Sequence, residues 1–404
     1  QDQSSGARAN KALIENLAYL GYALTVCHYS RKAIDIDGAI MLNIREQKSN
    51  WRYLLSRSIR LFRRYTHIDF SQFFERRIGF SFTFLNDAYS FVQMLKSLDL
   101  KPFDLVITLS QGESFLPHYA TLKFPQCHDR WLAYIHDPYP VKYYPTEYAF
   151  DGPGTAQKIK FMTSVIKSAR QIGFPSQLLK DWMIQYYPLI EKKAVIIPHQ
   201  ISAKAKMIKS DKIDLPEFFD TSKFNLLHAG NLLGQRSPRA LILAYNDFLD
   251  KNTEAIERST LVFIGHISET LKPELNNFLP HHNLFFSKKS LPFDLVSLIQ
   301  KLAAVNIIIE GQGEISPFLP GKFPHCIMAN KPILVLSPKQ SETRRLLGHS
   351  YPYWAERDNV EQISLIIDDA YNKWLLNLDN ELNRDDLIHY MGPDQLKQTL
   401  EQLI

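Results

Sequence analysis

Apolar positions along this chain follow two spacings that take turns. Residues 7–21, ARANKALIENLAYLG, repeat them at helical intervals and stop at Gly21, a C-cap residue. Residues 23–29, ALTVCHY, then read as a buried strand. Further strands are predicted at 102–110, 130–140, 169–176 and 193–199, with a helix at 176–188 between the last two. The charged, weakly periodic stretch 200–223 breaks the series and reads as a linker or an edge excursion. A second series follows. Its strands are 224–231, 259–266, 282–290, 305–314 and 332–338, and its helices are 237–252, 269–280, 293–304, 360–378 and 392–404. Such alternation predicts an α/β chain with parallel sheets and crossover helices. Ligands of open parallel sheets bind outside the carboxyl ends of the strands. The loops so placed are 3–8, 110–113, 136–139, 230–236, 265–266, 287–290 and 310–322.

Composition narrows this picture only a little. A chain of 404 residues exceeds one ordinary core and suits two domains. Its apolar fraction, 45%, is that of a soluble globular protein, and its net charge of +5 does not by itself imply nucleic acid. The three cysteines, Cys27, Cys127 and Cys326, lack metal-ligand spacing, which points to a reducing cytoplasm. No apolar run reaches the roughly 18–20 residues that span a bilayer. The chain opens on loop, helix and strand, so a preceding strand is expected outside this sequence.

Three places carry candidate chemistry. In 228–242, HAGNLLGQRSPRALI, a strand runs through Gly230 and Asn231 toward a helix. Gly230 permits close backbone approach, the helix start favours an anion, and Arg236 can grip phosphate with two hydrogen bonds. A tight turn with a solvated arginine would read the same. In 316–338, SPFLPGKFPHCIMANKPILVLSP, Pro320, Gly321 and Lys322 open a short helix between two apparent strands. A lysine in the first turn opposes the helix dipole unless an anion sits there; a solvated lysine beside a turn is the alternative. Glu310 and Glu314 in the same loop could accept hydrogen bonds from sugar hydroxyls. In 134–140, YIHDPYP, His136 and Asp137 end a strand and could orient or deprotonate a hydroxyl, or Asp137 could simply cap the turn. Dinucleotide, P-loop and serine-hydrolase signatures are missing from the sequence, and no acidic pair stands at a strand end to hold a metal.

Residues 51–77 interleave Arg52, Arg57, Arg60, Arg63, Arg64, Arg76 and Arg77 with Trp51, Tyr53, Leu54, Leu55, Leu61, Phe62 and Tyr65. A basic amphipathic helix of this kind suits an anionic membrane surface, or packs its apolar face on its own domain with the arginines solvated.

Together these stretches resemble the GT-B glycosyltransferases, in particular their family-4-like, nucleotide-sugar-dependent branch. The likeness runs over nearly the whole chain. It is carried by SSGARANKALIENLAYLGYALTV, RWLAYIHDPYP, ARQIGFPSQLLKDWM with AVIIPHQ, LLHAGNLLGQRSPRALILAY, and most specifically by SPFLPGKFPHCIMANKPILVLSPKQSETRRLL. The resemblance implies two Rossmann-like domains with parallel sheets facing across a cleft: an acceptor domain at 1–200 and a donor domain at 201–385. A C-terminal helix at 386–404 would pack back on the first. It implies a hexosyl transfer from a UDP- or GDP-sugar to a glycan or lipid-linked glycan hydroxyl, with retention, without metal or other cofactor, in cell-surface polysaccharide synthesis. The place would be the cytoplasm or the inner face of the membrane. Lys322 and Arg236 would meet the donor diphosphate, with Gly230, Asn231, Gly265, His266, Ser287, Lys288, Glu314, Ser316, Gly321 and His325 completing the donor site. Ser5, Gly6, Gln111 and Glu113 would lie on the acceptor side, beside the catalytic His136 and Asp137. One departure stands out: His325 and Pro317 occupy the places of the acidic pair that in many relatives holds the ribose. An epimerase of the same fold, or a sugar-nucleotide-binding assembly protein without catalysis, would carry the same stretches.

Overall fold

The computed structural model describes residues 5–30, 34–67, 70–204, 214–278, 283–287, 291–378 and 381–403. It divides into two compact units, one of Gln1–Ser202 with Pro393–Ile404, the other of Ala203–Gly392.

Among the described residues, the first unit holds six strands in two parallel sheets. β1 (Leu24–His28) pairs with β2 (Ala39–Asn43), and β3 (Val106–Leu109), β4 (Trp131–Tyr134), β5 (Gln171–Phe174) and β6 (Ala194–Ile196) follow one another across a second sheet. β4 is buried at every position. Trp131 sits in its core, and its indole N–H reaches Thr108 Oγ1 at 2.8 Å, so the one polar atom of a large buried ring is satisfied. β1, predicted as a buried strand, is only half-buried throughout, as befits a strand of a two-stranded sheet. The predicted loop 3–8 is mostly helix: α1 (Ser5–Tyr19) takes in Ser5, Gly6, Ala7 and Arg8.

The region predicted as one basic helix is two. α2 (Trp51–Thr66) starts at Asn50, whose side-chain oxygen accepts the N–H groups of Arg52 and Tyr53. It stops at His67, which takes a left-handed conformation with φ 58°. α3 (Ser71–Ile78) and α4 (Phe82–Lys96) follow.

The second unit is built on one parallel sheet of six strands: β7 (Phe224–Ala229), β8 (Ser259–Ile264), β9 (Leu284–Phe286), β10 (Val305–Ile309), β12 (Ile333–Leu336) and β14 (Trp354–Ala355). A two-residue pair, β11 (Ile315–Ser316) with β13 (Gln340–Ser341), lies beside it. The six-stranded order is β14-β12-β10-β7-β8-β9. Its central strands are covered on both faces, which explains their nearly unbroken apolar sequence. The chain leaves β7 toward β8 and β9 on one side and returns to β10 on the other. The carboxyl ends of β7 and β10 therefore flank a topological switch point, where such sheets bind ligands.

After Ser202 the chain stays in the second unit until Gly392. The helix Asp385–Tyr390 belongs there, tied by Arg384 to the carbonyls of Leu346 and Leu347, both at 2.8 Å. The helix Pro393–Glu401 returns to the first unit. Leu396, Leu400 and Leu403 join Leu13 and Leu17 of α1 in one buried cluster. Leu400 is 1% exposed, so Leu400→Ala should cost about 2–4 kcal/mol and unfold the first unit at lower urea. A shift below 0.5 kcal/mol, on the order of a surface change, would mean that this helix does not complete the core.

Candidate functional site

The carboxyl edge of the second sheet brings three loops together. Gly230 N donates to the Ile264 carbonyl at 2.7 Å, and Asn231 Oδ1 accepts the His266 N–H at 2.9 Å. Asn231 thus fastens the loop after β7 to the loop after β8. Gly265, at φ 144°, lies so close to the Gly230 carbonyl that any side chain would collide with it. His266 is exposed at this edge, and Ser287 closes it with its N–H on the Phe263 carbonyl at 2.8 Å. Lys288 and the remainder of the predicted loop 287–290 lie outside the described residues.

Lys322 defines the site. The helix it was predicted to enter begins one residue later, as Phe323–Ala329. Pro320 and Gly321 make the turn before it, closed by Phe323 N on the Pro320 carbonyl at 2.8 Å. The lysine side chain does not run into solvent. Its ammonium lies 3.0 Å from His228 Nε2, in space left by the missing side chain of Gly230. A Cβ at Gly230 would stand 2.6 Å from Lys322 Cε and collide with Nζ as well. Burial, helped by the nearby Arg236 and opposed by Cys326, pulls the Lys322 pKa down to about 7. His228 is fully buried in β7. Burial first, then Lys322 and Arg236, hold its pKa well below the usual value, so the ring stays neutral and accepts from the lysine. Arg236 itself is exposed. Its loop is held from below by Arg357, which donates to the Gln235 carbonyl and pairs with Asp358 at 2.9 Å. Two cations thus converge where β7 and β10 part, and the Lys322 ammonium lies against His228.

The acids and hydroxyls of the same loop have other work. Glu310, at the end of β10, is buried; its Oε1 accepts from Ser341 Oγ at 2.9 Å. Burial raises its pKa, opposed by the hydroxyls of Ser316, Thr343 and Ser341 and by Arg236. Glu310 therefore joins β10 to the β11–β13 pair through Oε1, while its Oε2 is buried without a hydrogen-bond partner among the described residues. Ser316, predicted to contact the donor, is a buried β11 residue of this same knot. Glu314 remains exposed. His325 packs its ring edge-on against Phe293 at 4.9 Å, which takes it into a helix–helix contact. Pro317 is buried. Cys326 hydrogen-bonds with Gln300 Nε2 at 3.5 Å, and burial pushes its thiol up to about 12, far from a reactive thiolate.

A second polar cluster stands at the carboxyl edge of β4 in the first unit. His136 is buried. Its backbone N–H donates to Ser110 Oγ at 2.9 Å, its Nε2 lies 2.6 Å from Asn10 Oδ1, and its Nδ1 lies 3.4 Å from His199 Nε2. Burial, then His199 and His118, drive its pKa well down. A neutral His136 donates through Nε2–H to Asn10 and leaves Nδ1 as an acceptor beside His199. Asp137 is half-buried next door, and its charge is felt by Tyr144. Gln111 and Ser114 exchange backbone hydrogen bonds across a turn that carries exposed Gly112 and Glu113. Gly6 approaches the Gln111 side chain, whereas Ser5 is simply an exposed first-turn residue of α1. Sequence reasoning missed Asn10, His199, His228 and Arg357. His228 and His199 carried a signal, since each is a polar residue at the end of an apolar strand run.

This architecture, two Rossmann-like α/β units in one chain, is the GT-B fold, as the sequence resemblance led one to expect. Among solved structures, the trehalose-6-phosphate synthase OtsA superposes with a TM-score of 0.64 at 11% identity, over 100% of this chain and 93% of that one. The E. coli enzyme bound with UDP-2-fluoro glucose matches with a TM-score of 0.59 at 11% identity, over 100% and 97%. The UDP-forming α,α-trehalose-phosphate synthase of Burkholderia xenovorans in complex with glucose-6-phosphate matches at 0.59 and 9%, over 96% of each chain. No protein-family model and no curated protein sequence matches this chain. At such identities the likeness carries the fold alone.

Burying the Lys322 ammonium opposes folding. The opposition is complete below pH 7 and fades as pH rises toward the ordinary lysine value, 10.5. Lys322→Met should therefore raise stability by about 1–2 kcal/mol at pH 6. The gain should shrink steadily toward pH 10. A gain independent of pH, in melts taken across that range, would show that the charge is not desolvated.

Proposed function

We propose that the chain is a glycosyltransferase that moves a hexosyl group from a UDP- or GDP-sugar to a hydroxyl of a glycan or lipid-linked glycan. The observation that carries this reading is the Lys322 ammonium held against Gly230 and neutral His228 at the β7–β10 switch point, with Arg236 beside it. When the bond to the donor sugar breaks, negative charge grows on the leaving diphosphate. Preorganised cations in a partly dry site stabilise that charge more than they stabilise the ground state. Lys322 and Arg236 supply this charge, so the transfer is read as needing no metal. Asp137 and His136 hold the acceptor hydroxyl, with Asn10 and His199 fixing the His136 ring. Retention, a role in cell-surface polysaccharide synthesis and a cytoplasmic place complete the reading. The UDP-2-fluoro glucose of the E. coli structure and the glucose-6-phosphate of the B. xenovorans structure support a nucleotide-sugar donor and a sugar acceptor.

One observation favours donor binding without transfer. His325 and Pro317, at the places of the ribose-holding acids, are both engaged in packing. The assay therefore measures donor binding and product formation separately, with and without acceptor. Lys322→Ala should lower turnover about 100-fold or more while leaving the circular dichroism spectrum unchanged. Wild-type turnover in that variant would sink the assignment, and donor conversion without an acceptor would make the protein an epimerase.

The pH dependence follows from the free Lys322 value of about 7. A bound diphosphate favours the charged lysine. Below pH 7 the lysine is already protonated and donor affinity should be flat. Above it, binding must take up a proton, and affinity should fall toward tenfold per pH unit for one proton, as a limit of roughly 1.4 kcal/mol. Calorimetry with UDP-glucose in two buffers of different ionisation enthalpy at pH 8 would read that uptake directly. Equal heats would contradict it.

A further inference from the structure

α2 is built inside out. Ser56, 3% exposed, faces its own unit, where its hydroxyl meets Thr83 Oγ1 of α4 at 2.7 Å. On the opposite side, spaced by seven and four residues, stand Leu54 at 62% exposure, Leu61 at 43% and Tyr65 at 79%, while the partly exposed Trp51 at the helix start packs against Phe82 of α4. Leu55 and Phe62 flank this line and are exposed too. An ordinary surface helix would turn these residues inward. The apolar face continues toward α3: Phe70, just before it, lies 5.1 Å from Phe62 in a tilted ring pair, and Phe73 within it is exposed.

α2 and α3 are strongly basic, although Arg60 and Arg63 line a cleft on the Ser56 side together with Glu75. α2 carries Arg52, Arg57, Arg60, Arg63 and Arg64 and no acid, and α3 adds Arg76 and Arg77 with only Glu75 against them. Arg57 and Arg64 are exposed and lie seven residues apart along one flank of the apolar line. A second copy of this chain would bring the same arginines face to face, so self-association through this face is disfavoured. Among the described residues, no helix is long and apolar enough to cross a membrane.

We propose that α2 and α3 form a docking face for a bilayer rich in anionic phospholipid. Leu54, Leu61, Tyr65 and their neighbours enter the headgroup region, and Arg57 and Arg64 on the flank pair with lipid phosphates. The helices lie in the interface plane and do not span it. This inference comes from the outward apolar line and the charge around it, and does not rest on sugar transfer.

Vesicle sedimentation without any nucleotide sugar tests it on the full chain. The chain should pellet with vesicles of equimolar phosphatidylcholine and phosphatidylglycerol, and stay in solution with phosphatidylcholine alone. The surface variant Leu54→Ser/Leu61→Ser/Tyr65→Ser should weaken binding about tenfold or more, and Arg57→Gln and Arg64→Gln about fivefold each, with salt acting in the same direction. Failure of the wild-type chain to pellet with the anionic vesicles would overturn the proposal. So would undiminished binding by the triple variant, or a dimer in analytical ultracentrifugation that the triple variant abolishes.

Discussion

A lysine ammonium held 3.0 Å from a buried, neutral imidazole is an unfavourable arrangement by itself. Part of its water shell is replaced by a ring nitrogen and backbone, no carboxylate among the described residues pairs with it, and Arg236 adds repulsion. Much around it serves to hold the lysine there. Gly230 leaves the room, Gly265 lets the neighbouring loop close over the Gly230 carbonyl, and Asn231 pins the two loops together. Arg357 fixes the backbone that carries Arg236. The Ser341 hydroxyl, donating to Glu310, ties β10 to the neighbouring strand pair. A fold that spends stability to hold a cation in place has a site whose ground state lacks a partner. Such strained, underpaired positions cluster where ligands bind.

How much of this could be read beforehand depends on the range of the interaction. The β7, β8, β10 and β12 strands stood out because strands covered on both faces need unbroken apolar runs. Pro320, Gly321 and Lys322 stood out because the lysine is locally misplaced. What the lysine touches was not legible. His228 is 94 residues earlier, and the two meet only because β7 and β10 become sheet neighbours by a crossover. The same holds for His136, whose partners Asn10 and His199 lie 126 and 63 residues away. The burial of Ser316 and Glu310 was illegible for a related reason. A polar residue in a loop looks available until tertiary structure buries it with another. β2 escaped notice because five residues of mixed burial, with a glycine turn before them, carry too little pattern.

The 51–77 region shows a different limit. Its period and composition announced an amphipathic helix, but periodicity is silent about which way a face points. Only packing decides that, and here the polar side won. Asn50 caps α2 and also hydrogen-bonds Asn86 at 2.9 Å, while Ser56 meets Thr83. Trp51 and Phe74 clamp Phe82 from two sides at 6.1 and 5.2 Å. These contacts along one side of α2 fix its rotation and leave the other apolar line outside.

Both features follow one rule: the fold forgoes local stability at a few places and retains it everywhere else. Burying the exposed leucines of α2 would be worth about 1.5–3 kcal/mol each if there were anything to bury them against. Neutralising Lys322 would remove a desolvation cost of similar order. Neither the central sheet nor the clusters around Trp131 and Tyr371 need these sacrifices, since both cores close without them. Departures from local preference that no neighbouring residue compensates are explained by partners of complementary chemistry. For Lys322 and Arg236 that chemistry is a multiply charged anion small enough to enter beside Gly230. For α2 it is an extended surface that is both apolar and anionic.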